Sequence, residues 1–374
     1  MSTDLILLGI SLMIWGVGEG MFFIFQPLYL QQLGANPITI GAILGAAGIA
    51  MAVAHIPAGH LADKIGRKPL LVVAWIIGAL ATWVMALAPS LPLFVAGMLV
   101  YNLTAFVNSP LNSYVTAARG RLSVVRAITM VSALYNTGAV LGPWLGGQVA
   151  NHSGLRTIYI IAGSAFILST IILVLIKQQP VDLPDLEGQV NGKLLDRRFV
   201  LYQSIIFLAG FSMYLAQPLS SNYLQNQQHL SFDSIGILGT ISSIGIVVLN
   251  LGLGYLKPHI GYLLGQVAVS LFALILWQAT SFPWFCLAYF MVGGYRISRT
   301  LATAQTRNLV DQSRMGLAYG VTETVGTSAI ILASPVAGYL YNIDPSLMYT
   351  VGFGMIVISC LISARFIPRP NITA

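Results

Sequence analysis

Only 8 % of the 374 residues are charged, 18 Lys and Arg against 11 Asp and Glu, while 56 % are hydrophobic and the mean hydropathy is +0.81. A soluble domain carries about 25 % charged residues, so this composition excludes a cytosolic enzyme, a secreted disulfide scaffold and a disordered chain. The net charge of +7 would suggest nucleic acid in a soluble protein; here it fits basic loops beside cytoplasmic-leaflet lipid, and no nucleic-acid partner is expected.

Twelve apolar segments follow in order, near 5–30, 39–61, 69–88, 92–116, 125–150, 155–177, 199–227, 233–256, 262–281, 284–306, 314–341 and 346–367. Each is long enough for a membrane-spanning helix, which needs about 20 apolar residues. The runs are continuous rather than alternating, which argues against a β-barrel. The start, Met1-Ser-Thr-Asp4, has no basic n-region or cleavage site, so the first segment reads as a retained helix. The longest hydrophilic stretch holds Pro180, Pro184, Gly188 and Gly192. It makes a linker, 178–198, between an N-terminal six-helix bundle, 1–177, and a C-terminal one, 199–374. The expected fold is an all-α integral membrane protein of twelve transmembrane helices in two pseudo-symmetric six-helix bundles. Cys286 and Cys360 lie in apolar runs and read as small buried hydrophobes.

Orientation follows from Lys and Arg. With the N-terminus in the cytoplasm, fifteen of the eighteen fall in cytoplasmic loops and the C-terminal tail, Arg156 falls outside, and Arg296 and Arg299 lie within segment 10. A multi-pass protein of a bacterial inner membrane, with both termini cytoplasmic, is expected. The halves also resemble each other. Gln26-Pro27-Leu28 recurs as Gln217-Pro218-Leu219 and Ser90-Leu-Pro92 as Ser281-Phe-Pro283, both 191 residues on; Gly59, Leu61 and Gly66 recur as Gly254, Leu256 and Gly261 after 195, and Pro143 as Pro335 after 192. Repeated bundles of this kind mark secondary transporters, with a site near the midplane.

Four ionisable groups lie inside the segments: Glu19, Arg296, Arg299 and Glu323. A charge at the bilayer centre costs about 2.5–3.5 kcal/mol on insertion scales, so such groups face the protein interior or water. Glu19, in Trp15-Gly-Val-Gly-Glu-Gly20, is a candidate proton carrier or cation ligand; the structural alternative is an ion pair or a hydrogen-bonded neutral acid. Arg296 and Arg299, three apart, are candidates for an anionic substrate or for pairing with carboxylates. Glu323 stands at the depth of Arg299, so it is a second proton-coupling candidate and also a partner for that arginine. Tyr214, Gln217 and Ser221 share one helix face, and Tyr101, Asn108 and Asn112 another; interhelical hydrogen bonding is the plainer reading of these stripes.

The loop after segment 2 reads Gly59-His-Leu-Ala-Asp63-Lys-Ile-Gly66-Arg67-Lys68. It resembles the loop signature of the major facilitator superfamily. Segment 5 carries Gly138-Ala-Val-Leu-Gly142-Pro143-Trp-Leu-Gly146-Gly147, which is similar to that family's antiporter motif. The resemblance implies that Gly59, Asp63, Gly66, Arg67, Gly142 and Pro143 serve gating, that segments 1, 4, 7 and 10 line a central cavity, and that Gln26, Asn108, Gln217, Arg296 and Arg299 are candidate substrate ligands there. Segment 4, Val100–Asn108, lacks the buried arginine usual in the family's proton-coupled exporters, so coupling through that segment is not carried over. The expected function is secondary active transport of a small organic, amphipathic solute by alternating access, as proton-coupled export. Alternatives are a symporter or uniporter of an anionic solute, a flippase for a lipid-like substrate, a non-transporting receptor and a membrane-embedded enzyme. No paired-His metal spacing, nucleophile elbow or P-loop is present, so no enzyme and no cofactor are expected. The expected partners are the solute, protons and membrane lipids, for a monomer.

Overall fold

Backbone polar groups in hydrocarbon must be satisfied within the chain, and a helix does so locally. The computed structural model describes residues 2–179, 196–306, 309–310 and 315–367, without the side chains of 55–65, 109 and 316. Among these residues all regular elements are helical. The first half forms α1 (Thr3–Phe23), α2 (Gln26–Gln32), α3 (Pro37–Ile65), α4 (Arg67–Leu87), α5 (Leu91–Leu103), a 3-10 turn (Thr104–Val107), α6 (Asn108–Ala118), α7 (Val124–Ser153) and α8 (Leu155–Val174). The second forms α9 (Arg197–Leu215), α10 (Ser220–Asn226), α11 (Phe232–Gly254), α12 (Pro258–Gln278), α13 (Phe282–Met291), α14 (Gly294–Thr306), α15 (Met315–Ile343) and α16 (Leu347–Phe366).

Eight of the expected segments are single helices. The other four, segments 1, 4, 7 and 10, are interrupted: α1/α2 at 24–25, α5/α6 by the 3-10 turn, α9/α10 at 216–219 and α13/α14 at 292–293. Among the described residues ten helices are long and apolar enough to cross a membrane, or eleven when the bent pair Leu91–Val107 and Pro110–Ala118 counts as one span. The remaining expected segment is α13/α14, whose second half carries Arg296 and Arg299.

The chain forms two compact units. Unit 1 is Met1–Ala35, Ala46–Asp185 and Leu224–Thr240; unit 2 is Asn36–Gly45, Leu186–Tyr223 and Ile241–Ala374. The same pairings recur in each. In unit 1, α1 packs on α7 and α8, and α4 on α5 and α8; in unit 2, α9 packs on α15 and α16, and α12 on α13 and α16. This is the pseudo-symmetry of the sequence repeat, now seen as packing. Both units expose apolar side chains suited to lipid, among them Leu80, Ile171, Leu251 and Leu361. Of the expected linker, 178–198, residues 180–195 lie outside the described ones, as do the surroundings of Gly59 and the side chain of Asp63. Gly66 separates α3 from α4 at φ 87°, in the region that favours glycine, and Arg67 opens α4.

Glycine sets the closest contacts. On α7, Gly138, Gly142 and Gly146 recur every four residues and lie on α1. A Cβ at Gly142 would stand 2.5 Å from the Val17 carbonyl oxygen and 2.6 Å from the Cα of Gly20. Gly147 faces α11 instead: its Cβ would stand 2.8 Å from the Phe232 oxygen and 3.1 Å from the Cα of Gly236. In unit 2, a Cβ at Gly41 of α3 would stand 2.5 Å from the Ser334 oxygen and 3.0 Å from the Cα of Gly338 on α15. Gly147 and Gly338 are 191 residues apart and Gly41 and Gly236 are 195 apart, so the two seams obey the repeat. Small residues of this kind let membrane helices approach backbone to backbone. Polar pairs flank the unit 1 seam: Gln31 and Asn226 exchange amide hydrogen bonds of 3.0 and 3.3 Å, and Asn151 donates to Asp233 at 2.8 Å.

Gly142→Ala drives a methyl into the α1 backbone and is expected to destabilise unit 1 by about 1–3 kcal/mol, the range for overpacking. Gly354→Ala, on a helix position with no heavy atom within 4 Å of the added carbon, is expected to leave stability unchanged or raise it slightly. Thermal unfolding of the two variants in detergent checks the contrast.

Candidate functional site

Glu19 is half-buried on α1 in unit 1, where Gly16, Gly18 and Gly20 remove side-chain bulk around it. The Gly16 and Gly20 faces bring α1 against α7, and that approach lets Tyr135 of α7 reach the carboxylate. Tyr135 donates to Glu19 Oε2 at 2.5 Å, and Tyr101 of α5 donates to Oε1 at 3.0 Å. Tyr101 is held in turn by rings: Trp15 stacks on it at 6.3 Å between centroids, and Phe166 stacks on Trp15 at 3.9 Å. Each carboxylate oxygen thus has its own phenol donor, and the Tyr101 phenol is held in an aromatic stack. Tyr101 was legible in the polar stripe of segment 4. Tyr135 was not: a tyrosine inside an apolar run carries no signal until the register of α7 against α1 is known.

In unit 2, Arg299 of α14 donates through Nη2 to Glu323 Oε2 of α15 at 2.8 Å, the salt bridge found among the described residues. Thr303, one turn along α14, donates to the other oxygen, Oε1, at 3.1 Å. The guanidinium lies over Gly326, where a Cβ would be 3.3 Å from both Nε and Nη2. The pairing inferred from equal depth is therefore formed. The pair is not sealed off: the side chains of Arg299 and Glu323 are 26 % and 56 % exposed. Tyr214 and Tyr295 stand nearby with ring centroids 5.6 Å apart. Arg296 is exposed, without a carboxylate partner among the described residues.

The polar positions separate by surroundings. Gln26 is buried at the start of α2, next to Pro27. Gln217 lies in the α9/α10 interruption and donates back to the Met213 carbonyl at 2.7 Å. Asn108 is exposed at the head of α6. In both halves the Gln-Pro pair thus sits at a helix interruption. Pro143 lies inside α7, which continues through it; its carbonyl and ring are where Gly236 and Gly239 of α11 pack. Among the described residues no group of three or more His, Cys, Asp or Glu is placed to hold a metal.

The chain belongs to the major facilitator superfamily, whose pattern matches residues 8–205 and again residues 203–374. Multidrug resistance protein 2 of Bacillus subtilis is 21 % identical over 375 residues, covering 95 % of this chain and 93 % of that protein. Quinolone resistance protein NorA of Staphylococcus aureus is 21 % identical over 360 residues, covering 92 % and 91 %. A crystal structure of a mutant of the nucleoside transporter NupG matches with a TM-score of 0.84 at 14 % identity, over 98 % of this chain and 100 % of that one. At that identity the likeness is one of fold.

Removing one member of the Arg299–Glu323 pair leaves the other charge uncompensated, whereas removing both does not. Arg299→Gln and Glu323→Gln are each expected to lower the unfolding temperature in detergent, and the double variant to recover most of the loss. The exposure of the pair limits the coupling to about 1 kcal/mol.

Proposed function

We propose that the protein is a proton-coupled secondary transporter that exports a small organic solute from the cytoplasm by alternating access, as a monomer in a bacterial inner membrane with both termini cytoplasmic. Membership of the superfamily supports a transporter rather than an enzyme, and the names of the drug-resistance relatives favour export. The basic residues clustered in alternate loops support the orientation.

The observation that carries proton coupling is the double phenol clasp on Glu19. A phenol both donates and accepts. Tyr101 and Tyr135 donate to the carboxylate when it is charged, and either hydroxyl accepts from it when it is protonated. Glu19 therefore keeps hydrogen-bond partners in both states. Glu323 differs. Its partner Arg299 only donates and stays charged, so protonating Glu323 strands a guanidinium. Of the two acids, the surroundings favour Glu19 as the proton carrier and Glu323 as half of a fixed pair.

The test uses the full chain in liposomes with an imposed proton gradient and a chemically broad panel of solutes. Wild type is expected to drive uptake or efflux of at least one solute against its gradient. Glu19→Gln is expected to abolish the gradient-driven component while solute exchange at equal pH persists. Driven transport that survives Glu19→Gln removes Glu19 from the proton pathway; absence of any flux in wild type removes the transport reading.

A further inference from the structure

Arg296 is an intramembrane cation that the internal pairing leaves over. Along α13 and α14 it lies about 21 Å from the start at Phe282 and about 15 Å from the end at Thr306, at 1.5 Å per residue. That is near the middle of a hydrocarbon layer about 30 Å thick. Arg299, three residues on, is matched by Glu323. No carboxylate pairs with Arg296 among the described residues, so Arg296, Arg299 and Glu323 together carry a net charge of +1.

The surroundings show where that charge looks. The buried face of α14 is Gly294, Ile297, Ser298, Leu301, Ala302, Gln305 and Thr306. The opposite, exposed stripe is Arg296, Thr300 and Ala304. Elsewhere the exposed surface is rich in Leu, Ile and Val, yet among the described residues no exposed large hydrophobic side chain occurs between Leu287 and Leu317. Between Met315 and Thr324 on α15 the described exposed positions are Leu317, Gly320, Glu323 and Thr324, and Glu323 is the one that meets α14, through Arg299 and Thr303. A stripe without large apolar side chains is unsuited to lipid and suited to water.

The mount is rigid. The helix break beside Arg296 is clamped on two sides: a Cβ at Gly293 would stand 2.6 Å from the Gly245 carbonyl carbon of α11, and one at Gly294 would stand 2.5 Å from the Gly265 oxygen of α12. The backbone there offers few free donors, because Tyr295 and Arg296 give their N–H groups to the carbonyls of Val292 and Gly293 at 3.0 and 3.1 Å. The Thr300 hydroxyl is likewise engaged, by the Arg296 carbonyl at 3.1 Å. The guanidinium is the available charged donor, planar and able to hold two oxygens of one group.

We infer that Arg296 is a substrate ligand and that the solute carries an oxyanion, a carboxylate or a phosphate, which neutralises this unpaired charge during transport. This rests on the transport reading for its role but concerns binding, which is measurable without flux. The purified full chain in detergent is titrated with benzoate, phenyl phosphate, benzamide and benzylamine, and the unfolding temperature is recorded for wild type, Arg296→Gln and Arg296→Lys. Without probe, Arg296→Gln is expected to be at least as stable as wild type, since it removes an uncompensated charge. At least one anion is expected to stabilise wild type at a concentration tenfold or more below that needed for benzamide or benzylamine. That preference is expected to vanish in Arg296→Gln and to return in part in Arg296→Lys. Equal responses of wild type and Arg296→Gln, no stabilisation by either anion, or a marked fall in the basal stability of Arg296→Gln each overturns the inference. Anion binding without flux in liposomes leaves the inference standing and removes the transport reading instead.

Discussion

A backbone group released inside hydrocarbon costs several kcal/mol unless protein or water covers it, so a membrane helix is interrupted only where cover exists. This chain interrupts segments 1, 4, 7 and 10 and leaves the other eight whole. Those four segments carry Glu19, Asn108, Gln217, Arg296 and Arg299. Interruption and polarity occur together because they need the same thing, a surface away from lipid. Of the four ionisable groups inside the segments, Glu19, Arg296 and Arg299 lie on interrupted ones, and Glu323, on the unbroken α15, is met there by Arg299.

Glycine supplies the complementary constraint. The α1–α7 contact is a backbone contact, and Glu19 meets Tyr135 only because Gly16, Gly20, Gly138 and Gly142 carry no Cβ between the helices. The carboxylate geometry is thus a product of packing several residues away. In unit 2 a single glycine, Gly326, gives the Arg299 guanidinium its bed. The two acids have unlike company, phenols in one unit and a guanidinium in the other, and that contrast separates their chemistry more than burial does.

The sequence showed the twelve segments and the repeat, since apolar run length and recurring Gly, Pro and Gln-Pro positions need no tertiary information. The Arg299–Glu323 pair was also legible, because distance from flanking arginines along two adjacent segments measures depth. The interruptions were not: Gln26-Pro27 and Gln217-Pro218 registered as repeated polar matches, the break at 104–107 lies in a run compatible with continuous helix, and Gly293-Gly294, a weak point for a helix, was hidden by the length of the apolar run around it. Tyr135 and Thr303 were missed for a related reason. Their roles depend on rotation of one helix against another, which hydropathy does not encode. The different fates of Arg296 and Arg299 turn on the same rotation.

The glycine seams have a consequence for biosynthesis. Gly147 on α7 emerges from the ribosome about 90 residues before Gly236, its partner on α11, and Gly41 on α3 emerges roughly 300 residues before Gly338 on α15. At 5–20 residues per second, those seams wait unpartnered for about 4–18 s and about 15–60 s respectively. For that interval these closely fitted surfaces face lipid, the insertion machinery or each other. The order of translation therefore makes the seam between α3 and α15 the last of the two to close, and the stage at which a nascent chain is most open to a wrong neighbour.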